Sequence, residues 1–323
     1  MERVLPIRIP PCETYQWIAF TMGMLMEHES VRDSIYNSYI NLKCDRYGEN
    51  QLNFIGGTAE DYRVEGIGEM DLFYLKNLAK EKLADFFKER IDQDNYLLLF
   101  HIDEYYLSYT DYFNKEHHKH DTYIYGYDDE NFYVMAYHNL HLQKMKVPAE
   151  EIIEGLYGVL DMDPEAHFCS FRVFHKAEGK CDLKKIKEEI KNYFYGFYDE
   201  GSGSQGIEVY KTMKDIMSDF INGLTEEDKI SPKLFRMFWE HKKMLVLRNT
   251  VLEDVKPELG KLRGDVEYLE NTSSKMMLLA LKYNKTHDKA IPARLMDYLG
   301  ELYEIENNYF REFYRVITQS EEQ

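Results

Sequence analysis

Thr122-Tyr123-Ile124-Tyr125-Gly126-Tyr127, Asp128-Asp129-Glu130-Asn131 and Phe132-Tyr133-Val134-Met135-Ala136-Tyr137 follow one another without a gap and read as strand, acidic turn and strand. β-Branched and aromatic side chains suit a pleated, half-buried surface, and clustered Asp and Asn favour a turn. Upstream, Tyr96-Leu97-Leu98-Leu99-Phe100-His101-Ile102 has the length and polarity of a buried strand. Helical patterns surround these strands. After the break at Pro10-Pro11, Trp17, Ile18, Phe20, Met24 and Leu25 recur at helical spacing, which predicts a helix from Cys12 to about Met26. A second is expected over Met70 to Ile91, with Leu72, Leu75, Leu78, Leu83 and Phe86 on one face. Pro148 opens a third over Ala149 to Leu156, whose early Glu150 and Glu151 suit the helix dipole.

The rest of the chain reads as helix: Leu183 to Phe197, Ile207 to Leu224, Leu234 to about Val255 behind Ser231-Pro232, Leu259 to Tyr283, and Ile291 to Ile317. Gly201-Ser202-Gly203-Ser204-Gln205-Gly206 has the composition of a flexible connection. Charge changes there too: residues 1–200 hold 37 acids and 22 bases, residues 201–323 hold 21 and 18. The expected fold class is α+β, with an α+β domain over about 1–160 and an α-helical domain over about 170–323.

Fifty-eight acids against 40 bases give a net charge of −18. That excludes nucleic-acid binding through a general basic face and argues against an anionic membrane surface. No run of 18 apolar residues and no leader pattern after Met1-Glu2-Arg3 is present, so a cytoplasmic protein is expected. Cys12, Cys44, Cys169 and Cys181 form no CxxC pair and read as reduced thiols, neither a disulfide framework nor a zinc site. His101, His117, His118 and His120 lack an acid at a recognised ligand spacing, so no metal is expected.

Two residues stand out chemically. Cys12 falls where a helix should begin, and unpaired N–H groups at a helix start lower a thiol's pKa. The bland alternative is a small buried side chain. His120 lies at the mouth of a glycine-containing strand with an acidic turn beyond it, the placement in which papain-like folds present a base to a distant thiol. Its bland alternative is a hydrogen-bonded structural histidine. Ten of the 27 tyrosines fall between Tyr96 and Tyr137, where some would be core and others would line an aromatic pocket.

Cys12-Glu13-Thr14, Ile102-Asp103-Glu104-Tyr105-Tyr106, His120-Asp121 and Ile124-Tyr125-Gly126-Tyr127-Asp128-Asp129 together resemble the N-terminal domain of the butirosin biosynthesis protein H family. Phe238-Trp239-Glu240-His241-Lys242-Lys243-Met244 is similar to the helical C-terminal part of relatives near nonribosomal peptide and polyketide clusters. The resemblance spans most of the chain, most specifically 102–129. It implies a papain-like fold and acyl transfer in natural-product biosynthesis, from a carrier-protein thioester to a small amine. Cys12 would be the nucleophile and His120 the base. The family's acid or amide at the sixteenth position after the histidine is Ala136 here, and Asn139 is the nearest residue able to orient His120. No glutamine precedes the cysteine. Asp103 and Glu104, with Tyr105 and Tyr106, are the candidate amine-binding residues; the alternative for the acids is a solvated loop. The implied partners are an acyl or peptidyl carrier protein, whose phosphopantetheine carries the acyl group, and the amine acceptor, with no resident cofactor. An acidic carrier needs a local basic patch, for which Lys242, Lys243 and Arg248 are candidates. Two other outcomes stay open: a cysteine peptidase or amidase, and an inactive accessory protein.

Overall fold

The computed structural model describes residues 2–138 and 141–319. In chain order its elements are β1 (Arg3–Val4), α1 (Gln16–Leu25), β2 (Leu42–Asp45), β3 (Leu52–Phe54), α2 (Ala59–Val64), β4 (Gly68–Tyr74), α3 (Lys80–Asp92), β5 (Tyr96–Asp103), β6 (Lys119–Tyr127), β7 (Asn131–His138), β8 (His141–Pro148), α4 (Ala149–Gly158) and β9 (His167–Val173). Then come α5 (Leu183–Phe194), β10 (Tyr198–Asp199), β11 (Gly203–Gln205), α6 (Val209–Asn222), α7 (Pro232–Glu253), α8 (Arg263–Thr286) and α9 (Ala290–Thr318). Antiparallel sheets and separate helices make this an α+β protein. Among the described residues no helix is long and apolar enough to cross a membrane.

The chain forms two units, and the division is not a single cut. One unit is the chain up to Asp33 plus Thr58–Lys180; the other is Ser34–Gly57 plus everything from Cys181. The expected division at about 160–170 falls instead after Lys180, because β9 (His167–Val173) belongs to the first unit's sheet, and residues 34–57 leave the first domain and join the helices. A short segment without its own core gains most of its burial from the elements it enters.

The first unit is built on an antiparallel sheet in the order β4-β9-β5-β6-β7-β8, with β1 pairing the far end of β6. The expected hairpin is β6 and β7, with Ile124 opposite Val134 and Tyr127 opposite Phe132. Gly126 is needed where β1 crosses it: a Cβ there would lie 2.7 Å from the Arg3 carbonyl oxygen. The expected helix over 70–91 is not formed. Its first part is β4, paired residue for residue with β9 from Gly68–Val173 to Tyr74–His167. Phe73 stacks on Phe168 there, while Leu72 is half exposed. Sheet pairing overrides the helical spacing, and α3 begins only at Lys80, burying Leu83, Phe87 and Ile91 on one stripe.

α1 begins at Gln16, four residues later than Cys12. All but Trp17 of its ten residues are buried, as expected of a helix apolar almost all round. The incoming segment packs tightly on it: Arg8 N–H donates to the Gly23 carbonyl, and a Cβ on Gly23 would sit 2.3 Å from the Arg8 oxygen.

The second unit holds the sheet β10-β11-β2-β3 and helices α5 to α9. The Gly/Ser cluster is not a connection. Gly203, Ser204 and Gln205 are β11, opposite Asp45, Cys44 and Lys43, and Ser204 is hydrogen-bonded to Thr212 at 2.7 Å. Small residues there let backbones approach closely, since a Cβ on Gly203 would meet the Cys44 oxygen at 2.2 Å.

α7 carries four charged or titratable residues into the core of this unit, where His241 and Lys242 are fully buried and Glu240 and Arg248 are each 1% exposed. Arg248 donates to the carbonyls of Tyr36 (2.8 Å), Ser38 (2.6 Å) and Tyr39 (3.3 Å). His241 Nε2–H donates to the Ile40 carbonyl at 2.9 Å, which leaves Nδ1 to accept from Lys242 at 3.1 Å. Lys242 is paired with the buried Glu306, which also accepts from Tyr193 at 2.9 Å and from Tyr210. Lys242 and Arg248 therefore offer no carrier-docking patch. Their charges are turned inward.

Burial and then the neighbouring Lys242 charge hold the His241 pKa well below the imidazole range, so His241 is neutral in the fold. Below pH ~6.5 the unfolded chain takes up a proton there that the fold refuses, so this group lowers stability by about 1.4 kcal/mol per pH unit of further acidification. His241→Gln keeps a donor for Ile40 and an acceptor for Lys242. Denaturant unfolding at pH 7 and pH 5 should show a shallower loss for the variant than for the parent; equal losses would show that His241 is not the group resisting protonation.

Candidate functional site

At the end of β5, Asp103 is fully buried and its carboxylate closes a polar corner. Oδ2 is 2.6 Å from His117 Nδ1, and Oδ1 accepts the backbone N–H of Tyr105 (3.1 Å) and His118 (3.2 Å). Glu104 Oε1 is 3.1 Å from His120 Nδ1. Tyr105 stacks on His117 with ring centroids 4.4 Å apart, and Tyr106 meets Tyr105 edge-on. The sequence candidates Asp103, Glu104, Tyr105, Tyr106 and His120 thus do gather. Asp103, however, faces an imidazole and two backbone amides and Glu104 faces an imidazole, an arrangement that orders the 104–106 turn rather than presenting two acids to an amine. Among the described residues no group of three or more His, Cys, Asp or Glu side chains could hold a metal ion.

Strand alternation decides what His120 can meet. Phe20 of α1 stacks on Tyr123 at 4.3 Å, so α1 lies on the Tyr123 side of the sheet, together with Asp121. His120 has the opposite parity. Its register partner is Ile102, which lies against Gly155 of α4. Phe87 of α3 packs on Phe168, whose partner Leu99 pairs with Thr122, two residues from His120 on the same side. The sheet therefore turns His120 toward the α3–α4 face and away from the helix that follows Cys12.

The face beneath α1 holds a different set. β5 bulges between Leu99 and Ile102, so that Phe100 and His101 together oppose Asp121. His101 is left-handed, with φ 68°, an uncommon conformation for a side-chain-bearing residue. Desolvation raises the Asp121 pKa, the opposing pulls coming from the His120 and His101 charges, a backbone N–H of His101 and the Tyr123 hydroxyl. α1 runs parallel to β6. Its Phe20 also meets Tyr96, the first residue of β5, and His28, just past its C-terminus, is 3.1 Å from the Tyr96 hydroxyl. The N-terminus of α1 accordingly lies over the other end of β5, where His101 and Asp121 meet. Gln16, one turn before Phe20 on the same side, is 3% exposed, and neither atom of its amide has a partner.

Cys12 is fully buried on the segment that runs back along α1 from Gly23 to the helix start. The four cysteines are all thiols. Burial pushes Cys44 far up and Cys169 up to about 11, so both are held protonated. Ala136 pairs with Gln143 in β7–β8, and Asn139 lies outside the described residues. Spacing places His101 in an apolar run and beside the other histidines, and gives neither it nor Gln16 a role with Cys12, since a bulge is set by pairing that spacing does not show. No protein-family model matches the chain, and no curated protein matches it significantly.

Proposed function

We propose that the first unit is a papain-like domain that moves an acyl group from a carrier-protein thioester to a small amine, with Cys12 as nucleophile. One observation carries the reading: a thiol on the segment leading into α1, whose N-terminus covers a corner with an imidazole, a desolvated carboxylate and an amide lacking partners. In the first step a base takes the Cys12 proton and sulfur attacks the thioester carbonyl. The bond to the pantetheine sulfur breaks, and that sulfur leaves with the proton. In the second step the amine attacks the acyl-enzyme, the amide forms, and the amine's proton returns to Cys12 through the same base. Excess acid on the protein favours a cationic amine.

A second reading, an accessory protein that keeps the fold without the reaction, is favoured by the complete burial of Cys12. Alkylation separates the two. If Cys12 is the nucleophile, a small iodoacetamide should label it ahead of Cys44, Cys169 and Cys181 near neutral pH, and an acyl-pantetheine thioester should leave an acyl mass that Cys12→Ala removes. Equal labelling with no adduct would establish the accessory reading.

A further inference from the structure

We infer that His101, positioned by Asp121 at the β5 bulge, is the imidazole that serves the Cys12 thiol, and that His120 is not. The inference rests on Cys12 being the nucleophile. Its own basis is which side of the sheet each ring occupies. Phe100 and His101 share one opposing residue, Asp121, and residues on either side of such a bulge project toward the face of that residue. That is the face covered by α1, as the Phe20–Tyr123 stack fixes. His120 is held on the other face by Glu104.

Two further observations mark the corner. His101 is exposed and carries a positive φ, a conformation that costs free energy and is found where a side chain must be aimed. Gln16, buried above the same corner, has an amide nitrogen and oxygen with nothing to bond. Leaving such groups dry and unpaired costs about 1–3 kcal/mol each. A polar substrate atom entering beside α1 would satisfy them. In the reaction, His101 takes the Cys12 proton as sulfur bonds to the acyl carbon, then delivers it to the departing thiolate. Asp121 accepts the backbone N–H of His101, which fixes the bulge that carries the ring, and its charge balances the imidazolium between those steps.

The left-handed backbone makes a clean test possible, because glycine adopts φ near 68° without strain. His101→Gly should fold with undiminished thermal stability. Its second-order rate of Cys12 alkylation should fall at least about tenfold, a floor set below the roughly 10²–10⁴-fold usual for a positioned base. Free imidazole should restore part of the rate in this variant and do nothing for the parent. His120→Gln should alkylate Cys12 within about twofold of the parent. A normal rate in His101→Gly, or a loss confined to His120→Gln, overturns the inference while leaving Cys12 as nucleophile. If parent Cys12 reacts no faster than Cys169, the nucleophile reading itself fails.

Discussion

Expressed without residues 34–57, the chain from Cys181 onward is expected to collapse without reaching a cooperative fold. The reason lies in what that segment supplies. Tyr36, Ser38, Tyr39 and Ile40 provide the carbonyl acceptors for Arg248 and His241. Asn41 Nδ2 donates to the backbone and carboxylate of Glu189, and Arg46 is paired with Asp219 at 3.0 Å. β2 stands between β11 and β3, so without it β11 loses that side of its ladder. Ile40, Leu42 and Leu52 are fully buried, each contributing roughly 1.5–3 kcal/mol on full burial. A domain's entire stability is about 5–15 kcal/mol, so these losses are of the same size as the whole of it. The 181–323 fragment should retain helical circular dichroism, lack dispersed NMR signals and melt without a sharp transition. Fusing 34–57 ahead of Cys181 through a flexible linker should restore one sharp transition. A fragment that melts cooperatively alone would show the segment to be an accessory to an independent bundle.

That excursion was invisible in the sequence for a physical reason. β2 and β3 are four and three residues long, too short for a periodic signal, and their burial depends on helices almost 200 positions away. Long, strongly patterned elements were readable instead. The β6–β7 hairpin, β5, α4 behind Pro148, and the helices α5 to α9 all fall where spacing put them, with ends shifted by a few residues. Failure came where pairing competes with spacing, as in β4, or where one charged residue can face either way. Lys242 and Arg248 look from the sequence like the basic side of α7, and both are buried. The candidate site was half legible by the same rule. Position alone makes Cys12 and the strand mouth at His120-Asp121 candidates, but which of these side chains faces α1 depends on parity along β6. His101 reaches that face only because β5 carries one extra residue. No residue type announces such a bulge.

Removing either member of the Lys242–Glu306 pair is expected to cost about 3–5 kcal/mol, more than the loss of any surface ion pair. Both side chains are wholly buried, and the surroundings are committed to the charged arrangement. Burial pulls the Lys242 pKa down and the Glu306 carboxylate pulls it back up, so the ammonium depends on its partner. In Lys242→Met, Glu306 keeps two tyrosine donors but loses its counter-charge, and His241 Nδ1 loses its donor. In Glu306→Gln, the ammonium is left against the rings of Phe238 and Tyr210, with a neutral amide in place of the carboxylate. The double variant removes both charges, so its cost should fall short of the sum of the singles by at least about 2 kcal/mol in a denaturant double-mutant cycle. The same cycle tests where these residues act. A lysine on a docking surface can be replaced by Met with a change within about 0.5 kcal/mol, because solvent already screens it. Near-zero costs that add would place Lys242 on the outside and return it to the candidates for carrier binding; large, non-additive costs make it a structural charge, fixed by Glu306 and unavailable to a partner.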